Sequence, residues 1–234
     1  MTVDDTAPVP PRSDRREQLV EVSVFLGLIL PSMVLGLFVV RQGGLSFEVV
    51  AWATILRDLG LAGLVGFLAW RNGEHRAWMG WSLRGWPREA ALGAALFLPV
   101  AFGARSLDAL LQAAGFSAPA TPMPDLVPGP AVGQIALAVL LVATVAVTEE
   151  TIFRGYLIRR FSAISRSPGA AVVLAAFVFS LGHGYEGTAG VITVGVIGLV
   201  LGVVYLWRGN LVAATVIHFV LDFVGIVFLP LLAR

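Results

Sequence analysis

Seven apolar runs, at about 19–40, 47–70, 89–104, 131–158, 169–184, 189–207 and 210–232, constrain this chain more than any other feature. A helix of roughly 20 apolar residues crosses the hydrocarbon core of a bilayer, so each run is read as a transmembrane helix. Only 13% of the residues are charged and 57% are hydrophobic, whereas soluble domains average roughly 25% charged residues. The expected fold is all-α, a polytopic transmembrane helix bundle of about seven helices. This composition excludes a secreted disulfide scaffold, a disordered tail, a coiled coil and a soluble nucleic-acid binder. Zero cysteines exclude disulfides, a thiol nucleophile, Cys-ligated metals and lipidated cysteine. All sixteen basic residues are Arg, and with abundant Ala and Gly this suggests a high-GC bacterial genome.

Residues 1–18, with Pro8, Pro10 and Pro11, are expected to form a flexible cytoplasmic tail, followed by N-terminal transmembrane helices over 19–116. The first apolar run is longer than the roughly 7–15 residues of a signal-peptide core, and it is expected to bend at Pro31. Residues 117–130 carry Pro119, Pro122, Pro124, Pro128 and Pro130 and are expected to form an external loop. Residues 131–234 make the expected C-terminal four-helix transmembrane core. Alternating the loops puts Arg12, Arg15, Arg16, Arg71, Arg76, Arg84, Arg88, Arg159, Arg160, Arg166 and Arg208 on one side and only Arg41 and Arg234 on the other. By the positive-inside rule the N-terminus is then cytoplasmic and the C-terminus external, in a multi-pass cell-membrane protein.

Charges inside the spans need separate weighing, because each costs roughly 2.5–3.5 kcal/mol near the bilayer centre unless it pairs or functions. Arg57 and Asp58 are adjacent and point about 100° apart on a helix, so they are expected to bond to neighbouring helices rather than to each other. Arg105 and Asp108, spaced i,i+3, are expected to pair at a helix end. His75, among Arg71, Glu74 and Arg76, is expected to be a solvated loop residue. Gly198 and Gly202, with Gly195, suit close helix packing.

The fourth run differs. Within Thr148-Glu149-Glu150-Thr151-Ile152-Phe153-Arg154, Glu150 and Arg154 have the i,i+4 spacing of an intrahelical ion pair. Glu149 is left over as a candidate general base. The fifth run places Phe179 and His183 on one face, and the seventh places His218 and Asp222 on one face. At a rise of about 1.5 Å per residue, Glu149, His183, His218 and Asp222 lie roughly 15, 21, 12 and 18 Å from the same membrane face. The four are expected to converge near mid-bilayer as one functional site.

These residues, in this order, resemble the CPBP family of intramembrane proteases, also called the Abi or CAAX-protease family. The family pattern is EExxxR, then FxxxH, then HxxxN or HxxxD. Here it reads Glu149-Glu150-x-x-x-Arg154, Phe179 to His183, and His218 to Asp222, over about residues 131–225. The resemblance implies an intramembrane endopeptidase in which Glu149 and His183 activate water while His218 and residue 222 stabilise the oxyanion. Glu150, Arg154 and Phe179 support the site. The substrate it implies is a membrane-embedded or lipid-anchored peptide or protein, with the lipid bilayer as surroundings and no nucleic acid.

The CAAX-cleaving branch carries Asn where this chain has Asp222. Asp222 either donates as a neutral acid, or keeps His218 as an imidazolium donor, or ligates a metal. Glu149, His183, His218 and Asp222 are the candidate ligands should Zn²⁺ be present; a metal-free glutamate mechanism is the expectation. HExxH, GxSG and GxGD signatures of other intramembrane proteases are absent from the sequence. The alternatives are an inactive immunity or scaffold relative and a small proton-coupled transporter.

Overall fold

The structure is a computed structural model, and it describes residues 14–36, 46–74, 76–118 and 127–233. Among these residues it is all-helical, with no strand and seven rods. The first three are α1 (Arg15–Gly36), α2 (Phe47–Arg71) and α3 (Trp86–Ala113). The fourth rod joins α4 (Val132–Glu149), a π-helical segment (Glu150–Leu157) and α5 (Ile158–Ser165). Next come α6 (Pro168–Leu181), a 3₁₀ turn (Gly184–Glu186) that leads into α7 (Gly187–Arg208), and a last rod of α8 (Val212–Asp222), a second π segment (Phe223–Phe228) and α9 (Leu229–Leu232).

Among the described residues five rods are long and apolar enough to cross a membrane, consistent with a multi-pass membrane protein. One further rod is apolar but shorter. The fifth, α6, has 14 residues, roughly 21 Å of helix at 1.5 Å per residue. Its N-terminus is fixed by Ser167, whose hydroxyl accepts the Ala170 N–H at 3.2 Å, with Pro168 at the first helical position. The first, α1, carries Arg15, Arg16, Glu17 and Glu21 in its opening turns. It is already helical at Arg15, inside the stretch expected to be a tail.

The helices alternate between two ends of the bundle. At one end the Leu211 N–H donates to the Gly80 carbonyl at 3.0 Å, and Arg208 grips both oxygens of Glu89 at 2.6 and 3.0 Å. At the opposite end the Ala189 N–H donates to the Ser117 carbonyl, and Gln134 bonds Glu48. The N-terminal helices pack directly on the C-terminal ones: α2 lies on α4, α3 on α7 and α8, and α1 on α5 and α6. Between α6 and α7 the approach is close at the glycines. A Cβ on Gly202 would lie 2.8 Å from Val172, and one on Gly198 3.2 Å from both Ala176 and Phe179. Outward faces display Leu98, Phe102, Leu110 and Val203, as lipid-facing helices do.

Several sequence expectations need correction. Arg57 and Asp58 pair with each other, since Arg57 Nε and Nη2 both lie 2.9 Å from Asp58 Oδ1. The Cα–Cβ directions diverge, but the long arginine side chain folds back along its own helix. Asp108 accepts from Gln112, one turn on, at 2.8 Å, and among the described residues no ion pair joins it to Arg105. Arg160 is not a loop residue. The helix continues through Ser165, and Arg160 is fully buried, bonding Glu74 at 2.7 and 2.8 Å and Glu21 at 2.8 and 3.0 Å. Glu21 also accepts from Tyr156 at 2.6 Å and from Asn72 at 2.7 Å. His75 lies outside the described residues, as do most of the Pro-rich stretch and residues 1–13.

Candidate active site

Glu149 and Glu150 occupy the junction where α4 gives way to the π segment. Such segments are rare and cluster at functional sites. No simple sequence signal encodes one. Thr148 and Thr151 flank the two acids and turn their hydroxyls back onto the helix, Thr148 to the Thr144 carbonyl at 2.8 Å and Thr151 to the Val147 carbonyl at 2.6 Å. Thr151 also accepts the Trp81 indole N–H at 2.9 Å, which ties the junction to the α2–α3 connection.

Glu150 is fully buried, and one of its oxygens, Oε1, serves two partners. Arg154 Nη1 lies 2.7 Å away and His218 Nδ1 2.8 Å away. The i,i+4 pair expected from spacing is present. Sequence reasoning did not find that the same carboxylate holds the imidazole of a helix 68 residues further on. A carboxylate only accepts, so His218 donates from Nδ1, and its Nε2 faces the other way. There Asp222 Oδ2 is 3.4 Å distant and Glu149 Oε2 3.7 Å. Asp222 closes α8 just before the second π segment, with its side chain 27% exposed. The Glu149 side chain is 15% exposed, yet its Oε2 is buried and has no hydrogen-bond partner among the described residues.

Phe179 joins the remaining groups. Its ring centroid is 4.8 Å from that of His183, 6.0 Å from His218 edge-on, and 5.0 Å from Phe153. The Arg154 guanidinium sits 4.4 Å over the same ring, a cation–π contact. Arg154 also reaches the Gly198 carbonyl at 3.4 Å, which a side chain at 198 would disturb. His183 stands just past the end of α6, which stops at Leu181, and its Nδ1 donates to the Phe179 carbonyl at 3.1 Å. The Phe179–His183 pairing is therefore kept, but through a helix terminus instead of a continuing helix. In its neutral form this leaves His183 Nε2 as an acceptor.

The structure thus gathers Glu149, Glu150, Arg154, His218 and Asp222 by direct polar approach, and Phe179 and His183 by ring contact. Two residues weighed as structural also lie within electrostatic range: Arg57 and Asp58 both act on Glu149. Tyr185, whose ring is 5.8 Å from that of His183, had no sequence signal. Catalytic zinc takes three protein ligands, and among the described residues no group of three or more His, Asp or Glu side chains is disposed to hold an ion.

Residues 131–224, from the start of α4 to just past Asp222, match the type II CAAX prenyl endopeptidase Rce1-like family. Over these residues the chain is similar to the CAAX-protease family. Neither a curated protein nor a solved structure matches the chain. The CAAX-protease family is one of peptidases, and the matched segment contains the Glu149, Glu150, Arg154, Phe179, His183, His218 and Asp222 side chains described above. The segment matched to the CAAX-protease family includes both α–π junctions, so Glu149, Glu150 and Asp222 all fall at a change of helical pitch inside it.

Proposed function

We propose that the protein is an intramembrane endopeptidase that hydrolyses a peptide bond in a membrane-embedded or lipid-anchored protein or peptide. The observation that carries this reading is the buried, unpartnered Glu149 Oε2 facing the Nε2 of an imidazole already anchored through Nδ1. A carboxylate with free acceptor capacity in a desolvated site is suited to take a proton from water. His183, with Nδ1 committed to the Phe179 carbonyl, shares in orienting that water through Nε2.

His218 supplies the donor for the tetrahedral oxyanion. Its Nε2 looks onto two carboxylate oxygens, a surrounding that a protonated Nε2 satisfies and a bare nitrogen lone pair does not. Asp222 therefore acts by favouring the imidazolium form, and Glu150 acts by fixing the ring. A preorganised donor of this kind contributes about 2.7–4 kcal/mol to acyl transfer elsewhere. The chemistry needs no metal, so chelators should leave turnover unchanged.

The Arg distribution supports an orientation with the N-terminus cytoplasmic. Setting aside Arg159 and Arg160, which lie within the fourth rod and not at its end, still leaves nine against two. Fusions reporting residue 80 inside and residue 115 outside test it. The activity is tested by comparing cells that carry the wild type or Glu149→Ala for a membrane-associated protein whose C-terminus changes. A set of C-termini identical in the two strains refutes the peptidase reading.

A further inference from the structure

Two helices of this bundle carry an apolar stripe that ends in an arginine at the same end of the molecule. On α1 the stripe is Arg16, Val20, Val24 and Leu28, at i, i+4, i+8 and i+12, and on α2 it is Leu64, Leu68 and Arg71, at i, i+4 and i+7. Residues at these spacings share one helical face. α1 packs on α5 and α6, and α2 packs on α4. The two stripes line a cleft of about 530 Å³ between α1 and α2, with the buried Phe25 on its wall. That volume falls within the range of about 300–1,000 Å³ for clefts that hold a small ligand. From Arg16 to Leu28 the helix rises about 18 Å, close to the roughly 15 Å of hydrocarbon in one leaflet. Val20, Val24 and Leu28 are more than half exposed, so the cleft is open along its length.

The mouth holds four exposed charged side chains, Asp14, Arg16, Glu17 and Arg71. Among the described residues no ion pair joins either arginine to a carboxylate. Asp14 and Glu17 cap α1 reciprocally: the Glu17 N–H donates to Asp14 Oδ1 at 2.8 Å, and the Asp14 N–H donates to Glu17 Oε2 at 3.2 Å. Each carboxylate keeps its second oxygen and its charge. Glu21, one turn further in, is already taken up by Arg160, Tyr156 and Asn72. Two cations and two anions around one apolar slot match a headgroup that itself carries both signs. A phosphate accepts guanidinium N–H groups in a bidentate way, and a primary ammonium has three N–H donors for carboxylate oxygens, which only accept. A glycerol headgroup would leave the two acids unmatched, and a choline headgroup has no N–H to donate.

We propose that the cleft between α1 and α2 is a binding site for an ethanolamine phospholipid. The phosphate sits between Arg16 and Arg71, the ammonium on Asp14 and Glu17, and one acyl chain along Val24, Phe25, Leu28, Leu64 and Leu68. The site shares no residue with the one around His218, and it stands whether or not the chain cleaves peptides.

The test is native mass spectrometry of the full chain released from nanodiscs that hold equal amounts of ethanolamine, glycerol and choline phospholipids with identical acyl chains. One ethanolamine lipid per chain is expected to be retained about fivefold over either competitor, the factor that an exposed ion pair of about 1 kcal/mol provides. Arg16→Gln/Arg71→Gln should lower its retention about tenfold, since hydrogen bonds to charged groups are lost. Asp14→Asn/Glu17→Gln removes both negative charges and keeps both capping acceptors, so it should erase the preference over the glycerol lipid. All four residues are exposed, and both variants are expected to elute from a sizing column as the wild type does. An ethanolamine lipid with a mid-chain diazirine should crosslink to cleft residues of α1 or α2, and Leu64→Trp, which fills the cleft, should abolish that product. Equal retention of the three lipids, stronger retention of the glycerol lipid, a preference that survives both double substitutions, or crosslinks confined to other helices overturns the proposal.

Discussion

Two buried charge clusters in this bundle differ in how completely they are satisfied. Around Arg160 every partner is engaged: Glu74 takes two N–H groups side by side, and Glu21 takes Arg160, Tyr156 and Asn72 together. Trp78 and Tyr156 cover the guanidinium at 4.7 and 4.9 Å. Around His218 the bonding is one-sided. Arg154 and His218 Nδ1 both converge on Glu150 Oε1, while Glu150 Oε2, Glu149 Oε2 and Asp58 Oδ2 have no hydrogen-bond partner among the described residues. Unsatisfied buried acceptors are costly and need an explanation. A closed network holds α1, the α2 terminus and α5 together, and an open one retains capacity for a reacting group.

Four substitutions can break or sharpen this contrast. The largest effect is expected for Glu149→Gln, which should lower peptide hydrolysis by about 10³-fold, within the range of a lost general base, while thermal unfolding in detergent stays unchanged. Unfolding at a clearly lower temperature would move Glu149 into the structural class. Arg160→Ala should do the reverse, since stranding two buried carboxylates typically costs about 3–5 kcal/mol, read as loss of folded protein in chromatography. Gly198→Ala comes next. The added methyl would meet Phe179 and Ala176 at 3.2 Å, so overpacking of about 1–3 kcal/mol is expected, together with a several-fold drop in turnover as Phe179 shifts. Asp222→Asn is the mildest, with tenfold or less loss of turnover and no stability change, because Glu150 still anchors the His218 ring. A loss as deep as that of Glu149→Gln would assign Asp222 a direct part in the chemistry.

The sequence foretold the helices well and the bonds between them unevenly. Apolar runs end where the bilayer would end, so among the described residues the rods start and stop within a few residues of their expected limits, except α3, which extends nine residues beyond residue 104 to Ala113, and the fourth rod, which extends seven beyond residue 158 to Ser165. The Glu150–Arg154 pair was legible because both partners sit on one helix at a fixed spacing. The Glu21–Arg160–Glu74 cluster was not, because its members come from three distant segments that read singly as ordinary charges near helix ends. Arg57 and Asp58 were misread because adjacent Cα–Cβ vectors say nothing about where a long side chain folds. The shared use of Glu150 by Arg154 and His218 needed the packing of α8 against the fourth rod, which no local pattern records.

The π segment between Glu150 and Leu157 has one more consequence. An α-helix fixes the bearing of each residue relative to the last by about 100°, so in an unbroken rod the direction of Glu149 would dictate those of Tyr156 and Arg160. A π segment accommodates an extra residue in its turn and acts as a phase slip. The upstream stretch can aim at His218 while the downstream stretch aims at Glu21, each on its own bearing. Deleting one residue from 151–155 would restore the ordinary winding and make the two aims incompatible: the rod could face the site or face α1, not both.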